Sequence, residues 1–134
     1  MIKKAKKIVE YTAYDGEQFT IEWYYNKQLN SDALDYFEDL DQAEQIEVLK
    51  LFKRMGDSGE IKNKTKFRNE GDKIYAFKPS QDRFLCFFFD GGKIIVTNAF
   101  RKKQNKLPKT EKEKAENRRK DYIERMSKGD YYDE

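Results

Sequence analysis

The six residues Phe84-Leu-Cys-Phe-Phe-Phe89 form the longest unbroken apolar run in the chain. Asp82-Arg83 precede them and Asp90-Gly91-Gly92 follow, so charge bounds the run on one side and turn residues on the other. The run is short for a helix and rich in aromatic side chains, which makes a strand over residues 83–89 the natural reading. A strand without a polar face needs cover on both faces. Phe84, Phe87, Phe88 and Phe89 are therefore expected in a core, any exposed remainder serving as a protein-docking patch. Cys86 is expected there as a small buried residue, not as a nucleophile. The run falls far short of the ~20 apolar residues that a membrane-crossing helix needs.

The rest of the chain is so polar that its core must come largely from rings. Charged residues make up 40% and hydrophobic ones 37%, a balance that borders on disorder. Twenty aromatic residues nevertheless stand against nineteen Leu, Ile and Val, and each ring buries a large area. The 134 residues are thus expected to close as a single domain. There is no His and a single Cys. That argues against a disulfide framework, a structural zinc site, and Ser-His-Asp or Cys-His nucleophile chemistry. No metal or cofactor is expected. The basic start Met1-Ile-Lys-Lys-Ala-Lys-Lys leads into no apolar stretch of the secretory kind, so a cytoplasmic location without a membrane partner is expected.

Periodicity supplies the elements. Ile8–Tyr14 and Phe19–Tyr25 flank Asp15-Gly16, a favoured turn pair, and read as a hairpin. Its second arm alternates Phe19, Ile21 and Trp23 against Thr20, Glu22 and Tyr24. Asn30 or Ser31 can cap a helix with Ala33, Leu34, Phe37 and Leu40 on its apolar face. Asp41 with Glu44 opens a second helix whose apolar face is Ile46, Leu49, Phe52 and Met55, widened by Val48 and Leu51. Gly56 stands where that helix should end. After a basic loop at 62–66, short strand-like runs occur at 66–68 and 74–78. The strand at 83–89 then turns through Asp90-Gly91-Gly92 into its partner at 93–100. Thr110 and Glu113 match a second capping box, opening a last helix with Ala115, Arg119, Tyr122 and Met126 on one face. Residues 129–134 are expected to fray. The order reads β-β-α-α-β-β-β-α, an α+β domain in which an antiparallel sheet carries helices on one side.

Charge is unevenly spread. Residues 1–60 carry 8 basic and 13 acidic groups, net −5. Residues 61–110 carry 13 basic and 4 acidic groups, net +9, and residues 111–134 return to −1. A +9 segment is the footprint expected of a polyanion-binding surface. The alternative is a solvated surface whose lysines face acidic helices of the same molecule.

Several pieces within residues 66–126 share a pattern: Phe67-Arg68; Ile74-Tyr75 leading to Lys78; Arg83 heading an apolar strand; Gly91-Gly92-Lys93 before a β-branched strand; Phe100 followed by Lys102-Lys103 and then Pro108; and Ala115 with Arg118-Arg119-Lys120-Asp121-Tyr122. In this order and spacing the segment resembles the HigB-like toxins of bacterial toxin–antitoxin systems, within the RelE/ParE superfamily. The helix pair ahead of it also sits where that family has one, and residues 1–13 are an N-terminal extension beside it. The resemblance implies a small twisted antiparallel sheet with an N-terminal helical hairpin and a C-terminal helix. It implies an mRNA endoribonuclease that cuts in the ribosomal A site and inhibits translation. The partners implied are mRNA, the ribosome and a cognate antitoxin of helix-turn-helix type, with DNA reached only through the antitoxin complex. A gyrase poison of the ParE kind and an inactive antitoxin-binding relative are the alternatives.

The chemistry implied has the 2′-hydroxyl attack the adjacent phosphate. A base takes its proton, cations stabilise the phosphorane, and an acid protonates the leaving 5′-oxygen. Arg suits the middle task because its fork pairs with two phosphate oxygens. Lys serves as a base only where burial or neighbouring cations lower its pKa. The resemblance assigns the catalytic positions to Lys78, Arg83 and Lys102, with Lys103 the second choice for the last. Arg83 is the phosphate clamp, or else a strand-edge Arg paired with Asp82 or Asp90. Lys64, Lys66, Arg68, Arg101 and Lys103 are the RNA-backbone contacts it implies. Asn98 stands where close relatives often carry His. Tyr75 either stacks on a base or packs in the core.

Overall fold

The computed structural model describes residues 9–132. Strand β1 (Thr12–Asp15) and β2 (Thr20–Trp23) form the hairpin, followed by α1 (Asp32–Asp39) and α2 (Gln42–Ser58). Four strands then run in succession: β3 (Phe67–Gly71), β4 (Ile74–Phe77), β5 (Asp82–Phe89) and β6 (Lys93–Arg101). Helix α3 (Lys109–Lys128) closes the order. Both short runs after α2 are thus full strands, one more than the expected order allowed. Residues 1–8, most of the expected extension and the start of the first expected strand, lie outside the described residues.

The strands make one six-stranded sheet in the order β1-β2-β6-β5-β4-β3. Every pair is antiparallel except β2 with β6, which is parallel. The expected α+β class holds, with that one pair making the sheet mixed. The helices do not sit on one side. Alternation along β5 sends Phe84 and Cys86 to the face covered by α1 and α2, with Val48, Phe52 and Met55. Leu85 and Phe87 go to the other face, under Ala115 and Tyr122 of α3. The doubly apolar strand is buried because each face has its own helical layer.

Local signals place most helix ends. The Ser31 Oγ accepts from the Leu34 amide at 3.3 Å, and Asp41 Oδ1 accepts from the Glu44 amide at 2.8 Å. Two expectations fail. Gly56 lies inside α2, which ends at Gly59 with φ 82°. A Cβ on Gly16 would fall 2.3 Å from the Gly56 carbonyl carbon, so the pair lets the β1–β2 turn lie directly on α2. Helix α3 starts after Pro108 with no side-chain cap, leaving Thr110 inside the helix. The buried face of α2 is also rotated. Val48, Leu51, Phe52 and Met55 are buried, whereas Ile46 and Leu49 are 46% and 40% exposed.

The tail is not frayed as far as it is described. Tyr131 is 2% exposed and its hydroxyl accepts from the Tyr25 amide at 3.0 Å. Tyr132 donates to the buried Glu22 carboxylate at 2.7 Å, and Lys93 reaches the same carboxylate at 3.5 Å.

Candidate nucleic-acid interface

Strand parity gathers cations from four separate stretches. On β4, Ile74 and Ala76 face α3, and Lys78 follows at the same parity just past the strand end. The register Ala76–Leu85, Phe77–Phe84, carried one step further, sets Lys78 opposite Arg83. Arg68 on β3 pairs with Ala76 and shares that face. Helix α3 covers the face only from its first turn onward, so the end of the sheet beyond it stays open.

A β-bulge completes the set. Leu85 pairs with Asn98 but Cys86 pairs with Val96, which leaves Thr97 as an extra residue in β6. Before the bulge Ile94 and Val96 face α1 and α2; after it Ala99 does, and Phe100 turns to the α3 face. The extra residue reverses parity and so brings Phe100 and Lys102 to the side of Arg83. Buried polar groups hold the bulge. Thr97 Oγ1 donates to Asn98 Oδ1 at 2.6 Å, and Asn98 Nδ2 donates to the backbone oxygen and Oε1 of Glu111 at 3.2 and 3.1 Å.

The product is a hollow of about 220 Å³ lined by Arg68, Glu70, Lys78, Arg83, Phe100 and Lys102, with the 104–108 loop closing it. Lys106 in that loop adds a fifth cation against the one carboxylate of Glu70. Pro108, at the N-terminus of α3, brings the positive end of the helix dipole to the rim. The Arg83 guanidinium is tied down by the backbone oxygens of Ser80 at 2.9 Å and Asp82 at 2.8 Å. Its Nη1 thus bonds backbone oxygens and not the carboxylates of Asp82 or Asp90. Burial lowers its pKa, yet a guanidinium stays charged at any physiological pH. Burial also lowers the pKa of Lys78, and the positive charges of Arg83, Arg68 and Lys102 lower it further. A half-buried lysine among three cations is the arrangement in which a neutral amine becomes accessible.

The three expected catalytic residues therefore meet in one place, together with Arg68. The other expected RNA contacts do not line the hollow. The backbone oxygen of Lys64 receives the Lys78 ammonium at 3.4 Å, and that of Lys66 receives the Lys78 amide at 2.8 Å. Arg101 is held by Glu44 at 2.7 Å and Asp82 at 3.5 Å, and it lines a different cavity with Lys103. Tyr75, on the opposite face from Lys78, stacks on Phe67 with centroids 5.6 Å apart and meets Phe88 edge-on, so it packs with the aromatic core. Asn98 is the anchor of the bulge. Two charged lining residues escaped the sequence reading, Glu70 and Lys106. The alternation Arg68–Glu70 on a strand could have revealed the first; nothing in the sequence marks the second.

A larger cavity, about 630 Å³, runs along the C-terminal half of α2. Its lysines Lys50, Lys53 and Lys62 are each paired with an acid, Glu47, Asp57 and Glu60, so its charge is largely spent. Among the described residues no three His, Cys, Asp or Glu side chains cluster as a metal ion would require. No helix of the described residues is long and apolar enough to cross a membrane.

Comparison with protein-family models matches residues 35–120 to the phage derived protein Gp49-like family, DUF891. The match runs from α1 well into α3 and includes every residue of the basic hollow. A search of the curated proteins finds no match.

Proposed function

We propose that this chain, which belongs to the phage-derived Gp49-like family of RelE-like, toxin–antitoxin-associated proteins, is the toxin of a type II pair. In this reading it is an endoribonuclease of the HigB kind that cuts mRNA in the ribosomal A site. The observation that carries this is the meeting of Lys78, Arg83 and Lys102 in one hollow, with the Lys78 amine pushed towards neutrality by burial and neighbouring charge. Neutral Lys78 takes the proton of the 2′-hydroxyl as its oxygen attacks the adjacent phosphorus. Arg83 spans two oxygens of the phosphorane. The Lys102 ammonium gives its proton to the departing 5′-oxygen. The products are a 2′,3′-cyclic phosphate and a free 5′-hydroxyl; Lys78 leaves the step protonated and Lys102 neutral, and solvent restores both. Arg68 and Lys106 hold flanking phosphates by charge neutralisation, which makes binding salt-sensitive.

The neutralising antitoxin, in this reading, lays an acidic or apolar segment over the same hollow, its charge speeding encounter. The test is cleavage of mRNA on purified ribosomes by wild type and Arg83→Ala. Wild type is expected to cut in the A site, and loss of the phosphorane clamp to slow cutting by about 100-fold or more. Absence of cutting by folded wild type, or inhibition of gyrase supercoiling without RNA cleavage, overturns the proposal.

A further inference from the structure

Behind the hollow, on the face that carries α1 and α2, a second polar cluster ties down the ends of β5 and β6. Asp82 is 1% exposed. Its Oδ1 accepts the Tyr36 hydroxyl at 2.5 Å and lies 3.5 Å from Arg101 Nη2. The same Arg101 nitrogen donates to Glu44 Oε2 at 2.7 Å. The Tyr36 ring meets Phe84 edge-on with centroids 5.7 Å apart, which fixes where its hydroxyl points. Burial, and then the bond to Asp82, raises the pKa of that hydroxyl, so it stays a donor at physiological pH. Asp82 and Arg101 are partners in the β5–β6 register. The cluster therefore joins two strands to α1 through Tyr36 and to α2 through Glu44.

Each strand member of the cluster is the chain neighbour of a cation in the hollow. Asp82 precedes Arg83 and Arg101 precedes Lys102, and alternation sends the neighbours to opposite faces. The 79–82 turn completes the link. The Asp82 amide donates to the Pro79 carbonyl at 3.1 Å, and the Lys102 amide to the Gln81 carbonyl at 2.7 Å. Ser80, with φ 55°, stands in the left-handed region, which a serine keeps only where its surroundings impose it. The carbonyls of Ser80 and Asp82 then both accept from Arg83 Nη1. A buried carboxylate–guanidinium pair adds little stability over apolar side chains of the same size, so stability alone does not account for this cluster.

We propose that Asp82 is a positioning residue for RNA cleavage. Held by Tyr36 and Arg101, it fixes its own carbonyl and through it Arg83 Nη1, so that the Nε–Nη2 edge of the Arg83 fork is the one that meets the phosphate. The inference rests on the endoribonuclease reading and adds to it a residue that touches no substrate and acts from behind the sheet.

The test is single-turnover cleavage of mRNA on purified ribosomes by the full chain. Following the rate against protein concentration separates the rate at saturation from the half-saturation concentration. Urea unfolding read by Trp23 fluorescence checks that each variant is folded. Asp82→Asn removes the charge at constant size. It should cut about tenfold more slowly at saturation, the cost of a misaimed Arg83. Its half-saturation concentration should not change, because the phosphate contacts of Arg68 and Lys106 remain. Combined with Arg83→Ala it should slow cutting no further, because Asp82 acts through Arg83. Tyr36→Phe, which keeps the ring on Phe84, should slow saturated cutting in the same way by a smaller factor, and it decides by the same criteria if Asp82→Asn does not fold. Three results overturn the positioning role while the endoribonuclease reading stands: a folded variant that cuts at the wild-type rate, a loss confined to half-saturation, or an equal loss on the Arg83→Ala background. If folded wild type does not cut, both readings fall together.

Discussion

Asn98 should control both the stability of the domain and the shape of the hollow. It is 2% exposed and takes part in three hydrogen bonds: one from Thr97 Oγ1, two to Glu111. Asn98→Ala removes all three. The Thr97 hydroxyl keeps the Leu85 backbone oxygen at 3.2 Å, so no buried donor is stranded. At ~1 kcal/mol net per bond the expected loss is about 2–3 kcal/mol. Asn98→Asp is the sharper probe. It keeps the acceptor for Thr97 but puts a carboxylate oxygen where an amide nitrogen lay 3.1 Å from Glu111 Oε1. Two carboxylates at that separation cannot both ionise cheaply, so the pair's folded-state pKa rises above its unfolded value. A folded state that binds more protons loses stability as pH rises. Asn98→Asp should therefore be most unstable near pH ~7.5 and regain stability towards pH ~5. Urea unfolding read by the fluorescence of the buried Trp23 measures both. RNA cleavage should fall in both variants, because Phe100 and Lys102 lose the parity that the bulge gives them. An Asn98→Asp protein with wild-type stability and no pH dependence would refute the bulge anchor.

If Lys78 is the base, the cleavage rate should rise about tenfold per pH unit and level off at a pKa below the ordinary lysine value. Arg68→Ala removes one of the charges that lower that pKa, so the plateau should move to higher pH in a pH–rate profile. Tyr131→Ala deletes a buried ring that meets Tyr122 at 4.5 Å and lies under Arg125 at 4.6 Å. It should cost about 3–5 kcal/mol in urea unfolding, whereas a frayed tail would cost nothing. Gly16→Ala pushes a methyl group into the α2 backbone at Gly56. Separating the hairpin from the helix should cost about 1–3 kcal/mol in the same assay.

Wherever local chemistry decided the outcome, the sequence was a good guide. Asp15-Gly16, Ser31 and Asp41 mark real turns and caps. The Phe84–Phe89 run marks the strand buried on both faces. What escaped was set by tertiary packing. The face of α2 that is buried follows the close approach of Gly16 and Gly56, and no periodicity in the helix records that contact. Tyr131 docks because Tyr11, Tyr24 and Tyr122 from distant segments leave it a slot. Of the candidate site, Lys78 and Arg83 were legible because one tight turn joins their strands and fixes the register. Lys102 is set apart from Arg101 and Lys103 beside it only through the bulge. Arg101 points to Glu44 and Lys102 to the hollow because Thr97 is an extra residue. A strand read with strict alternation gives no hint of that reversal.

The hollow is itself a departure from what folding alone would favour. Five cations against one carboxylate repel one another in the unliganded protein, and the register of β4, β5 and β6 holds them together regardless. Elsewhere several cations meet acids, Lys53 with Asp57, Lys112 with Asp72, Arg118 with Asp32 and Lys128 with Glu124, whereas in the hollow Arg68 alone meets one, Glu70 at 3.6 Å. The contrast is informative because the acids were available. Residues 1–60 carry a net −5, and Glu44 and Asp82, close by, are engaged by Arg101 and not by Arg83 or Lys102. A concave place where Lys78, Arg83, Lys102 and Lys106 gather without a carboxylate partner is the kind of local conflict that a functional site carries. The charge that would balance these cations is negative and lies at the end of a sheet beside a helix N-terminus, and it is the charge that the proposed phosphodiester would bring.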